Sequence, residues 1–511
     1  MMLVQGDRYL RAPAQTGQAM VLCLLFAGAA ALVGLLLFNS GMLANNKTQL
    51  QNAADAGAYS GAVMLARDHN FAAYSNRAMV ANQVAVAQLV SLDSYLEDAA
   101  STHARLNDFV QNLQSLIPSS KPAWTAGKRS PIETVNTAYG KIAAPAVKSL
   151  NILIRAFANA QKLHHTATAA NVMFIVNDVV KKNDPQASLS TGSFQTVTTL
   201  VQINKWKNDY TKEYRANDKS APADRFANVV VNDKSTDGFV RNRTSIPLPA
   251  WSGRPTSASC LFVGSPVNTT FGFAHGGGTI LSSDKRRWLA LDATMGAGVH
   301  VCRFYVPFVG VVYTTVPLTD PSLSHGLGGS GGAVAGRGGN YGETSGFSGN
   351  PDSTKLYGYS LIIAAVPALV RYNLKGPGTS LDTSGGLQDT YRDMATLATA
   401  PANQSPEVNG GETPLSVEVE RTGASVRTSS AILGNANDLR LDSAFKGDTL
   451  RTLSSAQAYF YRPKQDSGAF TRNGWRRADN KAEMANLFNP YWQARLSDPS
   501  EPQRAASLLA Q

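Results

Sequence analysis

The sequence predicts an α+β protein: a single N-terminal transmembrane helix, a helical stalk or subdomain, then a β-rich exported domain. Three observations predict it. Residues 19–38 read AMVLCLLFAGAAALVGLLLF, without a charge or a proline. From about residue 43 to 117 the pattern is almost continuously helical, and Pro118 ends it. After about residue 222 short runs of β-branched and aromatic residues alternate with Gly, Ser, Asn and Pro clusters.

The apolar run comes first. At about 1.5 Å per residue it forms a helix about 30 Å long, which matches the hydrocarbon core of a bilayer. A cleaved signal has a shorter apolar stretch followed by small residues at a cleavage site; Asn39, Ser40, Gly41 and Met42 do not supply one. The run is therefore read as a retained anchor. Arg8 and Arg11 precede it and the first basic residue after it is Lys47, so the positive-inside bias keeps residues 1–18 in the cytoplasm. The bulk of the chain is then expected on the other side of that membrane, outside the cytoplasm.

Composition narrows the function. The 511 residues carry 47 Lys and Arg against 36 Asp and Glu, a net charge of +11. That mild excess comes without a recognition motif or an aromatic–basic platform, so no nucleic-acid partner is expected. Three cysteines cannot build a zinc ribbon or a cysteine-held iron–sulfur cluster. Cys23 lies in the apolar run. Cys260 and Cys302 lie in the exported part, and in an oxidising compartment they are expected to pair.

The exported elements follow in order. Residues 39–221 form the helical region. Leu106, Phe109, Val110, Leu113, Leu116 and Ile117 repeat at helical spacing. Closer to the membrane, Ala53, Gly57 and Gly61 are four apart, so they line one face and admit a close neighbour. This stripe is expected to dock another helix, from a related subunit or from the same chain. Ser130-Pro131-Ile132-Glu133 opens a second helix with a capping box, continuing to Lys182 with a kink or break at Pro145. A shorter helix is expected over Gln195 to Arg215. Residues 222–470 form the β-rich domain, with strands over Phe226–Val231, Cys260–Val263, Val299–Tyr305, Val309–Val316, Lys355–Ala364, Ser416–Leu433 and Ala456–Arg462. Residues 326–349 are glycine-rich and read as a flexible loop. Residues 471–511 form a tail, with a short helix over Glu483–Leu496.

The apolar run followed by Leu50-Gln51-Asn52-Ala53-Ala54-Asp55-Ala56-Gly57-Ala58 resembles the TadE/TadG-like family of Flp (tight adherence) pilus-assembly proteins, as does Thr16-Gly17-Gln18-Ala19 before it. The stretches from Leu453 to Pro463 (LSSAQAYFYRP) and from Asn486 to Leu496 (NLFNPYWQARL) are similar to the tails of larger members. The resemblance implies a single-pass envelope protein that assembles, anchors or decorates a thin pilus. Its implied partners are other pilus-assembly proteins or pseudopilins. Pseudopilins of that system are cut after Gly and carry Glu five residues into the mature chain. Here Gln18 follows Gly17 and Leu22 stands where that Glu would be, which fits an anchored assembly component better than a polymerising subunit.

Other motifs carry less. Asp320-Pro321-Ser322-Leu323-Ser324 matches the Asp-x-Ser-x-Ser metal pattern of adhesion domains found in some larger members. Two prolines and the glycine tract behind it favour an ordinary polar turn. Gly326 to Gly331 fits G-x-G-x-x-G, and Gly328 to Gly332, containing Ser330, fits G-x-S-x-G; both arise from glycine bias. His275, His300 and His325 lack ligand spacing. His164 and His165 are adjacent on a helix and are expected to face apart. No catalytic residue, metal site or cofactor is expected. The expected role is a non-catalytic assembly component; the competing reading is an exported adhesin that binds through its β-rich domain.

Overall fold

The computed structural model describes residues 16–116, 131–190, 194–215, 225–243, 245–253, 265–282, 285–317, 328–337, 379–388, 390–394, 411–425, 449–461 and 484–509. In chain order the elements are α1 (Thr16–Leu116), α2 (Pro131–Asn183), β1 (Ala187–Leu189), α3 (Phe194–Lys205), a π-helical turn (Trp206–Tyr210), β2 (Thr211–Arg215), α4 (Arg225–Val230) and α5 (Gly238–Arg241). Then come β3 (Ser245–Gly253), β4 (Ser265–Leu281), β5 (Arg287–Val306), β6 (Gly310–Pro317), β7 (Gly328–Gly336), β8 (Thr379–Asp382), β9 (Thr390–Met394), β10 (Thr413–Thr422), β11 (Thr449–Phe460), β12 (Trp492–Ser497) and α6 (Glu501–Leu509). The class is α+β.

α1 is one helix of 101 residues, proline-free and rich in alanine, the best helix former. Its first part is apolar and outward-facing: Met20, Leu25 and Phe26 are each more than 65% exposed. Among the described residues this is the one helix long and apolar enough to cross a membrane.

α2 returns antiparallel along α1, since Tyr139 bonds the Leu89 carbonyl, Gln161 that of Ala72, and Val180 lies against Gly57. Its buried side is a seam: Ala143, Val147, Ile154, Ala158, Val172, Val176 and Val180 fall three or four residues apart or at multiples of that spacing. Burying each Val contributes about 1.5–3 kcal/mol as an upper estimate. The helix continues through Pro145, so of the kink or break expected there the break is absent.

Three sheets lie along this helical pair. The order β1-β10-β11-β12 makes one, β2-β9 a second, and β3-β4-β5-β7-β8, with β6 on β5, the third. Both large cores mix α1 and α2 residues with strand residues from beyond position 222.

Several expectations are corrected. Residues 328–336 form β7, inside the third sheet between β5 and β8. The reason is steric: a Cβ on Gly331 would fall against the Ser94 carbonyl and the Asp98 amide of α1, so glycine lets this strand lie on the helix backbone. Residues 338–349 lie outside the described residues. Phe226–Val231 reads as strand in the sequence, but α4 covers Arg225–Val230 and buries Phe226, Ala227 and Val230 on one helical face. The expected helix over Gln195–Arg215 is α-helical to Lys205 and π-helical over Trp206–Tyr210, with Trp206 buried, and 211–215 instead pair with β9. The expected helix over Glu483–Leu496 is instead a turn, where the Asn486 side chain accepts from the Phe488 and Asn489 amides, followed by β12 on β11. The only described helix in the tail is α6. Cys260–Val263 and Lys355–Ala364 lie outside the described residues.

Candidate assembly site

Ala53, Gly57 and Gly61 meet their own chain. Ala53 is fully buried with Leu50, Ala54, Val180, Ala187 and Val419. A Cβ on Gly57 would sit 2.7 Å from Val180 Cγ2 and 3.4 Å from Val176 Cγ1. A Cβ on Gly61 would meet the Leu415 side chain, with Val176 Cγ2 at 2.9 Å. The stripe therefore seats α2 and β10 of its own chain, the second of the two alternatives its spacing left open. The small residues are needed because a helix and a sheet converge on the same few turns of α1.

Polar residues of the same segment reach the tail. Asp55 Oδ1 accepts from Gln51 Nε2 at 2.8 Å and from Ser454 Oγ at 2.7 Å. Thr452 donates to Gln51 Oε1. Ser455 of β11 bonds Ser416 of β10 and Ser497 of β12. Residues 50–58 thus pack on the described part of the second stretch, residues 453–461. Beside them lies an open cavity of about 560 Å³, flanked by Gln51, Asp55, Ser454, Arg495 and Asp498. Arg495 lies over the Tyr459 ring and bonds Glu412 at 2.7 Å. This groove has carboxylate, hydroxyl and guanidinium groups for hydrogen bonding, at about 25 Å beyond Phe38 along α1.

Two buried charge clusters lie further along α1, and spacing in the sequence gives no sign of either. In the first, Asp68 accepts from His164 Nδ1 through one oxygen (2.7 Å) and from His165 Nδ1 through the other (2.6 Å). The adjacent histidines converge on one carboxylate, a correction to the expectation that they face apart. Burial alone would raise the Asp68 pKa; the two histidines overcome it and hold the carboxyl below the usual range. Neighbouring His69 accepts from Trp206 Nε1 at 2.8 Å, and burial pushes its pKa down to about 3.

In the second cluster Arg243 grips Asp292 with two bonds of 2.7 Å. His275 Nδ1 lies 3.1 Å from Asp98 Oδ2 and its Nε2 lies 3.3 Å from Asp292 Oδ1. Thr294 donates to Asp98 through its amide (3.0 Å) and its hydroxyl (2.6 Å). Burial opposes charge on His275, but the two carboxylates prevail and its pKa rises to about 9. These residues come from α1, β4, β5 and the chain beside α5, so only folding assembles them.

The remaining candidates divide. Cys302 is fully buried and disulfide-bonded, and Cys23 is free. Cys260 lies outside the described residues, as do Asp320, Ser322, Ser324 and His325 and the side chains of His300 and Ser330. Gly328 to Gly332 are strand, which gives neither a phosphate loop nor a nucleophile elbow. Among the described residues no group of three His, Cys, Asp or Glu is placed to hold a metal ion.

What these features define is a protein whose membrane-length apolar helix continues as the packing spine of a mixed helical and β-sheet body. Residues 17–64, which span that apolar stretch and the small-residue stripe, match the family model described as putative Flp pilus-assembly TadE/G-like. The resemblance carried by Leu50 to Ala58 lies within that match, which supports a pilus-assembly role. No curated protein and no solved structure matches the chain.

Proposed function

We propose that the chain is a membrane-anchored, non-catalytic component that assembles or anchors a Flp-type pilus, working with other pilus-assembly proteins or pseudopilins. The observation that carries this is the match over residues 17–64, which joins the apolar stretch to the spine in one continuous helix. In this reading α1 crosses the inner membrane with its N-terminus in the cytoplasm, and the sheets stand in the periplasm. A structural role is supported by the buried carboxylates: Asp68, Asp98 and Asp292 each have both oxygens engaged within the chain. Deleting the coding sequence should abolish or sharply reduce surface pili and adherence, restored by the full-length chain. Wild-type pilus number, adherence and pilin export in the deletion strain would refute the role.

A further inference from the structure

The end of the β5–β6 hairpin has no polar face. Tyr305 and Phe308 are 77% and 108% exposed, Val309 71% and Tyr313 60%. Val311 and Val312 are consecutive in β6, so they point to opposite sides of the ribbon, yet both are exposed. From Phe304 to Val316 there is no charge. Arg303, exposed and paired in register with Tyr313, stands at the base of this apolar tip. Next to it lies Cys302, buried and disulfide-bonded.

The turn itself is set against its own preference. The Val309 amide bonds the Val306 carbonyl at 3.1 Å, with Pro307 second and Phe308 third in the turn. Phe308 has φ 68°, where such a turn favours Gly or Asn. A large aromatic residue held there, in contact with solvent, points to use rather than to folding.

Direction follows from two bonds. Trp288 Nε1 donates to Gln83 Oε1 (3.1 Å) and the Thr294 amide to Asp98 Oδ1 (3.0 Å). From 288 to 294 along the strand, and from 83 to 98 along the helix, the rise is about 20 Å in each case. β5 therefore runs with α1, away from residues 19–38, and the tip lies on the order of 100 Å beyond them.

We propose that this tip, Tyr305 to Tyr313, inserts into the surface of an anionic lipid bilayer facing the one that α1 crosses. Apolar side chains exposed on both faces of the ribbon and at its turn suit a bilayer, which can surround all three, better than a groove that covers one face or edge. The Tyr and Arg residues at the base match the interfacial level of a membrane, where aromatic rings and cations meet headgroups. The orientation relative to α1 rests on the anchored reading above, whereas lipid binding by the tip does not.

The test uses the full chain, first incorporated through its apolar helix into lipid nanodiscs, which checks the anchor by itself. These discs are then mixed with vesicles of equal parts phosphatidylcholine and phosphatidylglycerol and floated on a density gradient. Discs carrying the chain are expected to rise with the vesicles, and empty discs are not. Phe308→Gly, which suits the turn and should leave the melting temperature equal or higher, is expected to weaken co-flotation about tenfold or more, the effect of withdrawing one buried aromatic side chain. Arg303→Glu should remove the preference for phosphatidylglycerol over phosphatidylcholine alone. Failure of the loaded discs to float, or co-flotation unchanged by Phe308→Gly, overturns the proposal. Disc-to-disc association lost in Phe308→Gly would overturn it too, by assigning the tip to contact between copies of this chain.

Discussion

Asp55 and Ser454 are hydrogen bonded at 2.7 Å although 399 residues separate them. The bond ties the small-residue segment of α1 to β11, so the family-matched N-terminal segment and the tail form one structural unit. Asp55→Ala and Ser454→Ala should each lower stability by about 1 kcal/mol, since each removes a partly buried bond to a carboxylate. The double variant should show positive coupling in a thermal-unfolding cycle. Strict additivity would mean the bond contributes nothing.

Gly57 and Gly61 admit no side chain. Gly57→Leu should be destabilised by about 1–3 kcal/mol through overpacking on Val176 and Val180, less up to about 1 kcal/mol gained in helix propensity. Limited proteolysis should open first at α2 and β10. Unchanged stability with lost cross-links to pilus partners would instead place the stripe on an outer face.

Gly331→Ala should cost about 3 kcal/mol, because its Cβ meets backbone atoms of Ser94 and Asp98 that cannot turn aside. Ala333→Gly, in the same strand, should cost about 1 kcal/mol or less. Equal melting temperatures for the two variants would contradict the packing of β7 on α1.

The His275 pKa rises from 6.5 unfolded to about 9 folded. Its charged interactions with Asp98 and Asp292 should therefore contribute in full below pH 6.5 and fade as pH rises through about 9. Melting temperature should decline over that window, and His275→Gln should flatten the decline. A parallel decline in the variant would show that another group titrates.

The pairing of Cys302 with Cys260 remains our proposal. Peptide mapping without reductant should recover the linked pair, and Cys260→Ser should lower stability by about 4 kcal/mol for a loop of about 42 residues. Recovery of Cys260 as a free thiol would refute it.

The legible parts of this protein were those governed by local pattern. An uninterrupted apolar run, helical spacing without proline, and the residues Leu50 to Ala58 needed no partner to be read. The strand-like run at Val299–Tyr305 lies within β5, and the run at Val309–Val316 overlaps β6 from Gly310 onward, since alternation and β-branching are local signals. Phe226–Val231 misled for the same reason: its β-branched residues favour strand, and only burial against Tyr391 and Phe488 made it a helix.

The sequence by itself determined the long apolar helix, the α+β class and the segment that resembles a pilus-assembly family. Tertiary structure alone decided what the small-residue stripe touches, that a glycine tract is a buried strand, and that His164 and His165 share one carboxylate. It also turned the apolar hairpin away from the anchor. The physical reason is range: helix period, turn chemistry and membrane length act within a few residues, whereas shared carboxylates and close backbone contacts join segments tens to hundreds of residues apart. No spacing rule connects Asp98 to His275, or Gly331 to Ser94, until α1 and the third sheet are packed together.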